Sequence, residues 1–283
     1  MDVKVGYHVS IAGSLDQSVD RALERGCTTF QIFTRNPRGW KFKPLGPKEI
    51  EGFRRKVREN DYHITVAHMP YLPNLATPRD DVYKASVEAL SAEVDRCDKL
   101  GIPYLVTHLG SHMGMGIEKG LHRLIAAVNK ALDDNKNEVM ILLENMAGTK
   151  NSMGSTFEDI KRIIAGAKQK DRVGLCFDTC HAFAAGYDLR DEKRVNDAMK
   201  RLDERVGLDK LKVVHANDCK GDLGCHLDRH EHIGMGGIGP HGFRAILRHK
   251  VLRDLPFILE TPIDSRRNEF EDISEFKSLA EGR

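Results

Sequence analysis

The sequence predicts a single-domain (β/α)8 barrel of the α/β class, and three observations predict it. Apolar, strand-like runs alternate with helical patterns along all 283 residues, and eight such units can be counted. Most of the strands are nearly continuous Val, Ile, Leu and Phe runs, as expected for parallel strands covered on both faces. Six of the runs end in a residue able to bind a metal: ITVAH at His68, YLVTH at His108, VMILLE at Glu144, VGLCFD at Asp178, LKVVH at His215 and FILE at Glu260. A doubly wound open sheet is the rival, but it would gather its chemistry at one switch point rather than at six strand ends.

Taken in order, the strands are expected at 3–9, 28–34, 64–69, 104–109, 139–145, 173–179, 211–217 and 256–261. The helices between and after them are expected at 14–25, 47–60, 81–100, 118–134, 156–168, 191–206, 241–248 and 269–281. In the third helix Val82, Ala85, Ala89, Ala92, Val94 and Cys97 mark an apolar face with the charges opposite, and Gly101 stops it. Ser155 or Thr156 caps the fifth, ahead of Glu158 and Asp159. The longest irregular stretch, 218–240, is rich in glycine and carries Asp228 and His230. A loop that long is usually functional or disordered, and two candidate ligands favour function. No linker or low-complexity stretch divides the chain, so residues 1–283 are expected to be one catalytic domain.

Composition excludes several classes. There is no apolar run of 18 residues, so no transmembrane helix is indicated, and MDVKVGYHVS lacks the pattern of a signal peptide. The cytoplasm is the expected location. The six cysteines are scattered with no CxxC pair, which argues against a thiolate zinc site or a thioredoxin-like motif. They are expected to be free thiols, with Cys176 buried in a strand and Cys219 structural. A net charge of +2 neither demands nor excludes nucleic acid. GxSxG and P-loop patterns are both missing, so a serine nucleophile and a nucleotide cradle have no support.

In a parallel barrel the C-terminal ends of the strands converge on one face, where the βα-loops build the site. His68, His108, Glu144, Asp178, His215 and Glu260 would meet there, with His181 just after Asp178. Asp228 and His230 stand two apart, which places both on one side of an extended segment. On spacing alone His226 or His232 could exchange roles with them. A lone strand-end histidine is more often a satisfied polar residue than a ligand, but nine candidates together are not explained that way. Nine ligands exceed the four a single zinc takes and suit two or three ions. Imidazole favours zinc, copper, iron or nickel over magnesium or calcium, and with carboxylates, no thiolate and hydrolytic use zinc is the first choice. Such ions suit phosphate ester hydrolysis, with Glu144 a plausible bridge between two of them.

Two loops add nucleic-acid features. In TRNPRGWKFK, Arg35, Arg38, Lys41 and Lys43 alternate with Trp40 and Phe42, which suits phosphate contact plus base stacking. In MPYLPNL, Tyr71 and Leu72 precede Pro73 on a stiff loop at the same face, where they could wedge into a duplex or pack the rim.

These residues carry a family resemblance. GYHVSIAGS, FTRNPRGW, HMPYLPNL, THLGSH, LLENMAG, VGLCFDTCHAFAAGYDLR, HANDCK, DRHEHIGMGGIG and FILETP follow one another over essentially the whole chain. The sequence resembles the endonuclease IV family of abasic-site DNA endonucleases. That resemblance implies a TIM barrel with three zinc ions. It implies His68, His108 and Glu144 for the first ion, Glu144, Asp178, His215 and Glu260 for the second, and His181, Asp228 and His230 for the third. Glu144, Asp178 and Glu260 are the expected catalytic carboxylates. Arg38, Tyr71 and Leu72 match positions that enter DNA at the lesion, and Trp40 is expected beside them. The implied reaction is hydrolysis of the phosphodiester 5′ to an abasic site in duplex DNA, leaving a 3′-hydroxyl, with removal of 3′ blocking groups. An abasic nucleotide lacks stacking, so flipping it costs less than flipping an intact one. No obligate protein partner is indicated. The resemblance gives His8 no metal to bind, and His8 at the first strand end is expected to line the site, with His112 similar.

Two other classes compete. A metal-dependent sugar isomerase or epimerase would share the barrel but use fewer, oxygen-richer ligands for manganese or magnesium. A lesion-binding protein without activity would bind abasic DNA unchanged.

Overall fold

The computed structural model describes residues 3–41 and 43–282, so Phe42 of the basic-aromatic loop lies outside the described residues. The chain alternates β1 (Val5–Tyr7), α1 (Asp16–Glu24), β2 (Phe30–Phe33), α2 (Pro47–Glu59), β3 (Thr65–His68), α3 (Asp80–Leu100), β4 (Tyr104–Thr107), α4 (Ile117–Asp134), β5 (Met140–Glu144) and α5 (Phe157–Gly166). It continues through β6 (Val173–Asp178), α6 (Thr179–Ala184), α7 (Glu192–Arg205) and β7 (Leu211–His215). A short antiparallel hairpin, β8 (Asp218–Cys219) with β9 (His230–Glu231), precedes α8 (Gly239–Arg248), β10 (Phe257–Leu259) and α9 (Glu269–Glu281).

The eight barrel strands pair in the order β1-β10-β7-β6-β5-β4-β3-β2, every pair parallel. The ring closes between β1 and β2, where His8 bridges Gln31 and the Val9 amide donates to the Gln31 carbonyl at 2.8 Å. Gly6 permits that closure, because a Cβ there would lie 1.6 Å from the Thr29 carbonyl oxygen.

Side-chain alternation splits the buried material into two layers. One core lies between strands and helices. The other is inside the barrel and consists of Val66, Val106, Leu142, Cys176, Val213 and Ile258, one residue from each of β3, β4, β5, β6, β7 and β10. Two residues beyond each of these, on the same face, come His68, His108, Glu144, Asp178, His215 and Glu260. An apolar plug therefore lies directly beneath the candidate ligands.

The eight expected helices are present, with some ends shifted: α1 starts at Asp16, α5 ends at Gly166 and α8 starts at Gly239. Gly101 ends α3 in the left-handed conformation at φ 73°, and Thr156 rather than Ser155 caps α5 by accepting from the Asp159 amide at 3.1 Å. The face of α3 differs from expectation. Glu93 and Arg96 lie in its buried stripe rather than opposite it. They are buried because Glu93 accepts from Thr34 and pairs with Arg35, while Arg96 donates to the Thr34 hydroxyl at 2.8 Å and the Lys43 carbonyl at 3.0 Å. Charge can be buried when its hydrogen-bonding capacity is met in this way. Strand β6 stops at Asp178 instead of 179 because α6 starts there. The segment 218–240 is not wholly irregular, since β8 and β9 pair Asp218 with Glu231 and Cys219 with His230. Among the described residues no helix is long and apolar enough to cross a membrane.

Candidate metal centre

Glu144 is the hub of the barrel mouth. It is wholly buried, and its two oxygens face different partners. Oε2 lies 3.1 Å from His68 Nε2 and 3.3 Å from His108 Nε2. Oε1 lies 3.2 Å from both His215 Nδ1 and His181 Nδ1. Burial pushes the Glu144 carboxyl up, but His108 and His215 outweigh it and hold it well below its ordinary value. His181 and His215 show the reciprocal effect. Burial lowers both, yet Asp178 and Asp228 raise His181, while Cys176, Glu260 and Glu144 raise His215, to well above the usual imidazole value.

Three groups of donor atoms come within 4.8 Å of one another: His68, His108 and Glu144; Glu144, Asp178, His215 and Glu260; and Asp178, His181 and His230. Asp228 adjoins the last, its Oδ1 lying 3.2 Å from His181 Nε2 and 3.4 Å from His230 Nε2. All nine candidates from the sequence therefore stand at one mouth. Asp178 touches two groups, 3.9 Å from His215 Nδ1 and 3.8 Å from His230 Nε2.

The donor set fits metal ions. His68 Nδ1 donates to the Met69 carbonyl at 2.6 Å, and His230 Nδ1 donates to the Glu260 carbonyl at 3.1 Å. His181 Nδ1 donates to the Asn145 carbonyl at 2.9 Å. A carbonyl only accepts, so each ring keeps a proton on Nδ1 and turns Nε2 inward, where on His181 the nearby carboxylates favour a second proton that a metal ion would replace. The Nε2 atoms of His181 and His230 are buried with no hydrogen-bond partner, and the carboxylates beside them have lone pairs to give. Ring nitrogens and carboxylates crowded together in this way call for a cation between them, a proton or a metal ion.

Local structure explains how the sequence places these groups. Asp178 caps α6, its Oδ1 accepting from the His181 amide at 2.7 Å, so one residue ends the strand and starts the helix that carries His181. Asn145 clamps β6, accepting from the Asp178 amide at 2.8 Å. Asn217 donates to Asp178 Oδ2 at 2.7 Å and accepts from the Glu260 amide at 2.8 Å. Neither asparagine was expected, although each directly follows, or lies two beyond, a strand-end ligand in ENMAG and HAND.

The alternative histidines stand elsewhere. His232 is enclosed between Asp272 at 2.6 Å and Asp264 at 3.1 Å, and His226 Nδ1 donates to the Ala147 carbonyl. His112 accepts from the Gly114 and Gly116 amides at 3.2 Å, so it braces its own loop instead of lining the site. His8 does reach the site, with Nδ1 3.2 Å from Glu260 Oε1. Among the described residues no cysteine joins the three groups. Cys176 is buried in its strand, as expected, and Cys219 is buried as well.

The rim is partly as expected. Tyr71 is 58% exposed, with its ring 5.5 Å from those of both His68 and His108, so it overhangs the mouth. Leu72, Trp40 and Arg38 are also exposed or half-exposed. Arg35 is not available to phosphate. It is 5% exposed and turned inward to Glu93, which corrects the reading of four exposed basic residues in that loop.

Comparison with known proteins gives this mouth its kinship. The chain matches the family model of the xylose isomerase-like TIM barrel over residues 19–279. It is 56% identical to a probable endonuclease 4 of Methanoculleus marisnigri, over 98% of this chain and 99% of that one. The chain belongs to the endonuclease IV family. A second probable endonuclease 4, from Nitrosopumilus maritimus, is 54% identical over 98% of this chain and 100% of that one. The crystal structure of endonuclease IV from Thermus thermophilus superposes with a TM-score of 0.88 at 33% identity, covering 99% of this chain and 100% of that one. Full-length kinship to endonuclease IV sets the sugar isomerase alternative aside. All nine candidate ligands and the four rim residues lie within the span matched by the family model, whereas His8 precedes it.

Proposed function

We propose that this chain is a zinc-dependent DNA repair endonuclease, a single catalytic domain over residues 1–283 that acts in the cytoplasm. It hydrolyses the phosphodiester 5′ to an abasic site in duplex DNA, leaves a 3′-hydroxyl, and clears blocked 3′ ends. The observation that carries this reading is the convergence of nine His, Asp and Glu side chains at one barrel mouth in a member of the endonuclease IV family.

Three ions fit the nine residues. His68, His108 and Glu144 would hold the first. Glu144, Asp178, His215 and Glu260 would hold the second, and His181, Asp228 and His230 the third. Bound zinc supplies Lewis acidity, neutralising phosphate charge and lowering the pKa of a water toward about 7. The rest is the work of the chain. Glu144 offers one oxygen to each of two groups and so fixes their spacing. Asp178 stands between the second and third groups through one oxygen, Oδ2, 3.9 Å from His215 Nδ1 and 3.8 Å from His230 Nε2, while its Oδ1 accepts from the His181 amide. Burial pushes the Glu260 carboxyl up, but His215 and His8 outweigh it and hold it ionised, so it stands as a carboxylate ligand beside the second group rather than as a strong base. These three are the catalytic carboxylates.

At the rim, Arg38 contacts the phosphate backbone and Trp40 stacks beside it. Tyr71 and Leu72 wedge into the stack where a base is missing. Selection then follows from deformability, because an unstacked nucleotide enters the mouth at lower cost than an intact one. The test is to incubate metal-replete protein with a duplex carrying one abasic analogue and with an intact duplex. A single cut on the 5′ side of the lesion, with a 3′-hydroxyl product, is expected. Equal cleavage of both duplexes, or of neither, would remove the proposal.

A further inference from the structure

A polar side chain lies inside the barrel below the ligands. Gln31, in the middle of β2, is wholly buried and stands in register with Val66 of the apolar plug. Its amide contacts three groups of the mouth. Oε1 lies 2.9 Å from His215 Nε2, while Nε2 donates to Glu260 Oε1 at 2.7 Å and approaches His8 Nδ1 at 2.9 Å. The orientation of the amide is dictated by Glu260, because a carboxylate accepts and only the NH2 can face it. The carbonyl end therefore faces His215 and must accept from it. That places a proton on His215 Nε2 and turns Nδ1, the nitrogen left for a metal, toward Glu144 at 3.2 Å and Glu260 Oε2 at 3.3 Å. Occupying Glu260 Oε1 also leaves Oε2 as the oxygen turned to His215.

His215 is the exception among the histidines pinned at this mouth. His68, His181 and His230 are pinned at Nδ1 by main-chain carbonyls and turn Nε2 inward. His215 presents Nδ1, and a side chain does the pinning. Backbone carbonyls are fixed by the fold, whereas this restraint depends on the identity of residue 31.

We propose that Gln31 is a positioning residue for the second ion's ligands, setting the tautomer of His215 and the rotation of the Glu260 carboxylate together. This rests on the metal-site reading above. Partners of this kind are worth about 10–100-fold in metal affinity.

The test uses Gln31→Met, which keeps the bulk without the amide, and Gln31→Glu, which keeps an acceptor for His215 but sets a carboxylate against Glu260. Zinc affinity is measured by chelator competition on the full chain, and the His215 tautomer by long-range 15N–1H spectra of the metal-free protein at a pH above the raised His215 value, where the ring holds a single proton. In the wild type His215 is expected to carry its proton on Nε2. Q31M is expected to lose that single tautomer and to weaken one zinc site by about 10–100-fold, leaving the others. Q31E is expected to keep the tautomer and still weaken the same site, and it carries the test if Q31M does not fold. Wild-type affinity at every site in both variants would overturn the inference while leaving the metal site standing. A wild-type chain that binds no zinc would overturn both.

Discussion

Two layers of the barrel interior, one residue pair apart on the same strands, have opposite chemistry. The lower layer, Val66, Val106, Leu142, Cys176, Val213 and Ile258, is complete in itself, its cohesion coming from apolar burial and close packing. Two residues on, the upper layer is His68, His108, Glu144, Asp178, His215 and Glu260. It is nearly as buried but crowds carboxylates and imidazoles together, and the Nε2 atoms of the neighbouring His181 and His230 make no well-formed hydrogen bond. The contrast teaches a division of labour. The plug closes the barrel and supplies stability, and the ligand layer rests on that floor with its charge left to be answered by cations and substrate.

That comparison can be broken from either side. Glu144→Ala removes the hub between two groups, so cleavage of an abasic duplex should fall by more than the roughly 10–100-fold typical of losing only a ligand's outer partner. Far-ultraviolet circular dichroism should show the barrel intact, and wild-type activity in this variant would refute the role of Glu144. Directly below, Leu142→Ala should do the reverse. A cavity in the plug should cost about 2–5 kcal/mol of unfolding free energy in urea titration, with metal content per folded chain kept. If Leu142→Ala lost metal before stability, the two layers would not be separable.

A smaller effect concerns the histidine that the ligand layer leaves out. His232 is held by Asp272 and Asp264. Burial lowers its pKa, but the two carboxylates outweigh it, so the folded value stands above the ordinary one. A raised value means that its contribution is full below the unfolded pKa of about 6.5 and is lost as pH rises through the folded pKa. The gap in urea midpoint between wild type and His232→Gln should therefore shrink as pH rises above about 6.5. A gap that widened would reverse the assignment. Least of all, Arg38→Ala at the rim should weaken binding to DNA and lower the salt slope of the affinity by about 1, while leaving zinc content alone.

The upper layer was legible because a parallel strand is a continuous apolar run, and an ionisable residue ending six of them in turn breaks the pattern at one height. The lower layer follows from the same runs by counting back two. What the sequence hid is long-range pairing. Arg35 and Glu93 are far apart in the chain, and each reads locally as a solvated charge, so their burial against each other left no local sign. The α6 turn was hidden because one residue, Asp178, serves as strand end and helix cap together. Gln31 did leave a sign, a lone amide within the apolar run FQIF, but its partners His215 and Glu260 come from the other side of the sheet order.

The most direct measurement of the central claim is the zinc content of the folded chain by native mass spectrometry, before and after chelation. About three zinc ions per chain, with abasic cleavage lost on their removal and restored on their return, is the predicted result. A folded chain that cleaves without bound metal, or that holds only one or two manganese or magnesium ions, would contradict the account.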